Sequence, residues 1–369
     1  MSTRARTPAT TAADDHLANS VTHRVADALA AIEAPDVVLA VTRRGRRTMM
    51  TAGTRTPATT TPPPTPRDEL HYEIGSLTKT FTVLLLADLA RTGVLSLDDP
   101  LAAHLPVLPL PHPDSRRITL RHLATHTAGL PRIPGDLVPG ALLHPYTSGY
   151  ARYDTELLLR TFARTRPRHR PGTRWHYSNF GVALLAPAMA RASGTDYPTL
   201  LTTRVLRPLG LVGTTPGPAH TTASAIGHRR DGRTPAPAMD MGAFTGCGAV
   251  HSTPGDLLTY AEAHLTPEAT PLSLPLRDVQ IPQLRCGWRH RETHTLTWYH
   301  HPAPNGPMLF HSGATFGQQT FLGFHPASGT GVAALATRRG NRCRLVETAY
   351  DLLYALAADP GGGGADRTP

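Results

Sequence analysis

Lysine is all but missing from this chain. Lysine and arginine together number 37 in 369 residues, and Lys79 is the only lysine. Most exposed basic positions accept either residue, so the arginines read as genome composition. A position that keeps lysine against that bias needs something arginine lacks. An amine can shed its proton when desolvated, whereas a guanidinium cannot. Cysteine is scarce too. Cys247, Cys286 and Cys343 are odd in number and no C-x-x-C occurs, which argues against a disulfide framework and a structural zinc site. No run of about 18 apolar residues occurs, so no membrane-spanning helix is expected. The opening stretch has no apolar core and carries Asp14 and Asp15, unlike a secretory signal. A cytoplasmic location is the expectation. The formal net charge is +10, but the arginines are scattered, with no basic block interleaved with aromatics. Neither nucleic acid nor membrane is expected as a partner.

What is present is a globular composition, with 40% hydrophobic residues, enough for a sizeable core. Residues 1–15 read as a disordered N-terminus. Apolar residues Leu17, Val21, Val25, Leu29 and Ile32 predict a helix from Leu17 to Ile32. Val37–Val41 predicts a buried strand, with a second near Met49. Pro57–Pro66 reads as a stiff, solvated loop. His71–Ile74 is a short strand, and Gly75-Ser76 opens a helix from Leu77 to Arg91 that Gly93 stops. Residues 95–240 are mostly helices and Pro/Gly loops. Strand patterns return at Leu296–Tyr299, Met308–His311, Gln319–Phe324 and Gly331–Ala336. A last helix runs from Arg344 to Ala357. The pattern predicts an α/β domain from residues 16–94 and 241–358, a helical domain at 95–240 inserted between them, and a flexible tail at 359–369. A cleft between two such lobes is a natural ligand site.

Three short motifs carry candidate chemistry. Ser76-Leu77-Thr78-Lys79 is S-x-x-K, and a spacing of three puts both side chains on one helical face. A serine hydroxyl needs an adjacent base to become a nucleophile, and a buried neutral lysine can be that base. The helix start adds free N–H donors that favour an oxyanion. The bland alternative is that Ser76 caps the helix. Tyr177-Ser178-Asn179 offers a phenol that can relay a proton and an amide that can hold both Lys79 and a carbonyl; its alternative is an ordinary polar helix start. His311-Ser312-Gly313 lets a substrate backbone approach a strand closely at Gly313, and the Ala314 amide is a second candidate oxyanion donor. His122 and His126 are spaced as metal ligands on one helix, but H-E-x-x-H is absent. G-x-S-x-G does not occur around Ser76, which disfavours the α/β-hydrolase elbow.

The types and order of these motifs resemble the serine β-lactamase-like family: class C β-lactamases, D,D-peptidases, related esterases and transacylases. The resemblance extends to Ile118–Leu130 (ITLRHLATHTAGL), Val205–Gly213 (VLRPLGLVG), Gly246–Leu257 (GCGAVHSTPGDL) and His311–Pro326. It implies a β-lactamase/transpeptidase-like α/β fold, an antiparallel sheet from both termini flanked by helices with an inserted, mostly helical domain. It implies that Ser76 attacks an acyl carbon and that Lys79 and Tyr177 shuttle its proton. Asn179 would orient Lys79 and the substrate, and His311 would complete the polar wall. The amides of Ser76 and Ala314 would form the oxyanion hole beside Gly313. No cofactor and no metal is implied, and His122 and His126 become structural. His311 stands where many β-lactamases carry lysine, which removes a fixed positive charge and puts β-lactam recognition in doubt.

The expected activity is serine acyl transfer: an acyl-Ser76 intermediate is formed from a small-molecule ester or amide. The acyl group then passes to an amine or to water, as in a transacylase or esterase of specialised-metabolite biosynthesis. Two alternatives stay open, a β-lactamase or D,D-peptidase-type hydrolase and a non-catalytic, acylated ligand sensor. Nothing in the sequence sets the oligomeric state.

Overall fold

Val37–Arg43 is apolar on both faces, as a strand covered from both sides must be. In the computed structural model every one of its residues is buried. The structure describes residues 12–54, 65–106, 109–218, 223–286 and 292–359. Its strands in chain order are β1 (Val37–Arg43), β2 (Arg46–Ala52), β3 (Tyr72–Glu73), β4 (His251–Ser252), β5 (Leu284–Cys286), β6 (Glu292–His294), β7 (Tyr299–Ala303), β8 (Gly306–Ala314), β9 (Gln319–His325) and β10 (Thr330–Ala336). Eight form one sheet in the order β2-β1-β10-β9-β8-β7-β6-β5. Neighbours run antiparallel throughout. β3 and β4 pair separately, with Glu73 opposite His251.

Side chains alternate across a strand, and the core divides accordingly. Val37, Leu39 and Val41 join Val25, Leu29, Leu353 and Leu356 on one face, under the first helix (Ala12–Ala30) and the last (Leu345–Ala358). Val38 and Ala40 point to the larger core on the other face, under the Thr78–Arg91 and Pro254–Leu265 helices. Each buried Val or Leu contributes roughly 1.5–3 kcal/mol. Gly323 in β9 lets the last helix close on the sheet, since a Cβ there would lie 2.7 Å from Leu353 Cδ2.

The expected helices are present, and so are the expected strands apart from the one at Leu296–Tyr299. The first helix begins at Ala12, inside the stretch read as disordered; residues 1–11 lie outside the described residues. So do residues 57–64 of the expected proline loop and the tail from 360 onward. The strand expected at Leu296–Tyr299 is a turn leading into β7. Thr295 and Trp298 exchange hydrogen bonds there, the Thr295 amide to the Trp298 carbonyl and the Trp298 amide to Thr295 Oγ1, both at 3.0 Å. The last helix begins after Arg344, whose left-handed φ of 56° breaks helical continuity. Among the described residues no helix is long and apolar enough to cross a membrane.

Candidate active site

Ser76 lies not in an α-helix but in a 3-10 turn, Gly75–Leu77, ahead of the Thr78–Arg91 helix. The helix N-cap position falls to Leu77, without a side-chain cap, so capping does not account for Ser76. Gly75 has φ +51°, and a Cβ there would meet the Ala314 amide nitrogen at 2.7 Å. Gly313 is tighter still, because a Cβ would sit 1.8 Å from the Ile74 carbonyl oxygen. Two glycines therefore let β8 lie directly against the serine turn. The Ser76 amide, at the start of a helical turn, lacks an intrahelical acceptor, and Ala314 faces the same cleft. The serine turn and Ala314 therefore meet at one edge of the cleft.

Ser76 Oγ sits between an amine and a phenol. Lys79 Nζ is 3.0 Å away and Tyr177 Oη 2.8 Å. Lys79 is fully buried, donates to the Cys247 carbonyl at 2.7 Å, and lies 5.1 Å from the Tyr177 ring centroid. Tyr177 precedes a helix start that is ordinary in its own right, since Ser178 caps Asn179–Ala183 by accepting from the Gly181 amide at 2.8 Å. One expectation fails here. Asn179 does not hold Lys79: its Nδ2 donates to Tyr150 Oη at 3.3 Å and its Oδ1 has no hydrogen-bond partner. The Cys247 carbonyl takes the place expected of that amide.

His311 is buried in β8 beside this group. Its Nδ1 donates to the Ser312 carbonyl at 2.8 Å, so Nε2 carries the lone pair, and Nε2 has no partner. Burial, then repulsion from Lys79, pushes its pKa down to about 3. His311 is therefore a neutral acceptor and not a cation. His126 supports Tyr177 from behind, its Nδ1 accepting from the Ser178 amide at 3.2 Å and its ring 4.5 Å from the tyrosine ring. Burial and then Lys79 hold its pKa well below the usual histidine range. His122 accepts from the Thr119 amide at 3.2 Å within a capping box. Its helix ends at Ala124, and His126 has φ 57°, so the two do not share one helical face.

Ser76, Tyr177, Asn179, His311, Gly313 and Ala314 all line one cleft of about 880 Å³. Lys79 lies beneath its floor. The cleft also holds residues that no motif singled out. Arg132, Arg230 and Arg339 line it, and no aspartate or glutamate is among its described lining residues. Partial desolvation, then repulsion from Arg230 and, less strongly, Arg132, lowers the Arg339 guanidinium from its usual range. Arg132 lies 5.1 Å from the Tyr177 ring centroid. Arg132 follows directly on the Ile118–Leu130 segment, so carrying that segment two residues further finds it. Arg230, Arg339 and Tyr150 have no such sequence signal. Glu73 and Asp88 are structural. Glu73 accepts from the Met239 amide at 2.8 Å and from Thr315, and Asp88 pairs with Arg204 at 2.8 Å.

Known proteins resemble this chain in sequence and fold. A family model described as Beta-lactamase matches residues 21–356. The chain is 35% identical over 197 residues to the D-alanyl-D-alanine-carboxypeptidase/endopeptidase AmpH of Escherichia coli (strain K12), a match covering 52% of this chain and 48% of that protein. A β-lactamase of Pseudomonas fluorescens is 27% identical over 323 residues, covering 77% of this chain and 84% of that one. The crystal structure of a class C β-lactamase from Rhodobacter sphaeroides matches with a TM-score of 0.73 at 25% identity, covering 92% of this chain and 99% of that chain. The match to AmpH spans about half of that relative's length. Fold, motif order and family match agree, and the chain belongs to the β-lactamase family of serine hydrolases.

Proposed function

We propose that this protein is a serine acyl-transfer enzyme that works through an ester on Ser76. One observation carries the reading: Ser76 Oγ lies 3.0 Å from a buried amine and 2.8 Å from a phenol. Ser76 Oγ attacks the acyl carbon while its proton passes to Lys79. The carbonyl oxygen collects negative charge and is held by the Ser76 and Ala314 amides. As the bond to the leaving group breaks, Tyr177 and Lys79 return the proton to it. An amine or water then attacks the ester, loses a proton to the same pair, and releases Ser76. An ester donor with an amine acceptor makes the protein a transacylase; water as acceptor makes it an esterase.

A second reading, hydrolysis of a D,D-peptide or β-lactam, gains from the cleft arginines. The sequence argument against it was the lost fixed charge at His311. Arg132, Arg230 and Arg339 line the same cleft and offer guanidiniums for a substrate carboxylate. The relative named as a D-alanyl-D-alanine carboxypeptidase supports this reading.

The test is intact-mass spectrometry of the protein with an activated methyl ester, with and without an amine, and with a penicillin. An adduct lost in Ser76→Ala supports the acyl-enzyme. Amide product selects transacylase, free acid selects hydrolase, and an adduct that never turns over selects the sensor. No adduct with either donor counts against acyl transfer.

A further inference from the structure

The scarcity of cysteine and the lack of C-x-x-C argue against a metal site, but strand register assembles one that spacing does not reveal. β5 and β6 pair so that Cys286 stands opposite Glu292 and Leu284 opposite His294. Directly opposed residues share a sheet face, and so do residues two apart. Cys286, Glu292 and His294 therefore project from one face of an edge hairpin. Their ligand atoms lie within 4.8 Å of one another, and His294 Nε2 is 3.9 Å from Glu292 Oε2.

A second observation points to a ligand. The His294 side chain is 4% exposed, and its Nε2 has no hydrogen-bond partner. A buried nitrogen left bare is costly unless something fills its lone pair. The ring is held in place by Trp175, 4.9 Å away, and Tyr299, 4.5 Å away between centroids. An imidazole fixed in this way is oriented for coordination before any ion arrives.

We propose that Cys286, Glu292 and His294 form a binding site for a divalent zinc-like cation, with water in the fourth position. A thiolate, an imidazole and a carboxylate together suit zinc and disfavour magnesium and calcium. Tetrahedral bonds of about 2.0–2.3 Å place ligand atoms roughly 3.5 Å apart, so from separations within 4.8 Å the side chains close by at most about 1.3 Å. As the metal–sulfur bond forms, the Cys286 proton leaves to solvent and nothing is oxidised. The Glu292 side chain is 48% exposed, which leaves the fourth position open to water. Trp175 lines the catalytic cleft while packing at a tilt against His294, so an occupied site fastens the edge hairpin to the cleft wall. The proposal does not depend on the acyl-transfer reading.

Titration of the chelator-treated full chain with Co²⁺ tests it. The expected result is one equivalent bound, a thiolate-to-cobalt charge-transfer band, and displacement by Zn²⁺. Cys286→Ser, close to isosteric, removes the band. Glu292→Gln changes an exposed side chain, leaves the fold intact and weakens Co²⁺ binding at least about tenfold. Cys247 and Cys343 remain in both variants as internal controls. A band that persists in Cys286→Ser, no band at millimolar Co²⁺, or equal affinity in Glu292→Gln each overturns the site.

Discussion

Lys79 has three close neighbours, the Ser76 hydroxyl, the Cys247 carbonyl and the Tyr177 ring, and none is an anion. Replacing it with arginine keeps a cation but not an exchangeable amine. Lys79→Arg is expected to lose Ser76 acylation, read as adduct mass, by about 100- to 10,000-fold. A rate near that of the parent removes Lys79 as the base. Tyr177→Phe keeps the ring against His126 and Arg132 but deletes the hydroxyl that reaches Ser76. It is expected to slow acylation over the same range with little change in thermal stability. If the variant loses both together, Tyr177 is a structural prop rather than a proton carrier. Ser76 and Lys79 were legible in the sequence because a fixed spacing and a compositional oddity pointed to them; Tyr177 stood only in a short motif that gained weight from the family resemblance. Asn179's partner, Tyr150, was not legible, because a single 3-10 turn, Gly149–Arg152, brings it in from a stretch without periodic signal.

The sheet is legible where strands are buried and continuous. β1, β9 and β10 were readable because apolar runs with two covered faces leave little else to be. β5 and β6 are three residues each, too short for alternation to show, and the hairpin's role depends on register that no linear pattern encodes. The last helix was readable from its apolar spacing, and it is the element whose packing can be tested most directly. Leu353 is fully buried and is the residue that Gly323 admits to the sheet. Leu353→Ala is expected to cost about 2–5 kcal/mol of unfolding free energy, read from urea or guanidinium midpoints. A loss below 1 kcal/mol would mean that the helix collapses onto the gap and that the fit at Gly323 matters little.

Across the whole molecule, buried histidines couple stability to acidity. His264 is enclosed by Tyr260, Trp298 and Phe324, and burial pushes its pKa down to about 4. An exposed histidine titrates near 6.5. Between those values the unfolded chain binds a proton that the folded chain refuses, so stability falls as pH drops through that window. At pH 5 one such residue costs on the order of 2 kcal/mol, and His311 acts in the same direction. Because Gln keeps an amide donor for the Tyr260 carbonyl, His264→Gln is expected to lose about 2 kcal/mol less between pH 7 and pH 5. Equal losses in parent and variant, from denaturation midpoints at the two pH values, would remove His264 as a source of the acid sensitivity. The sheet itself has a temporal consequence. Thr320 Oγ1 bonds the Ile74 carbonyl across 246 positions of sequence, and β1, which pairs with β2 at once, finds its second neighbour only in β10. On a ribosome, the serine turn emerges long before the strand that completes its pocket. A nascent chain halted ahead of Gly313 presents the serine turn without the strand that lies against it, so the cleft has no far wall until β8 has been made.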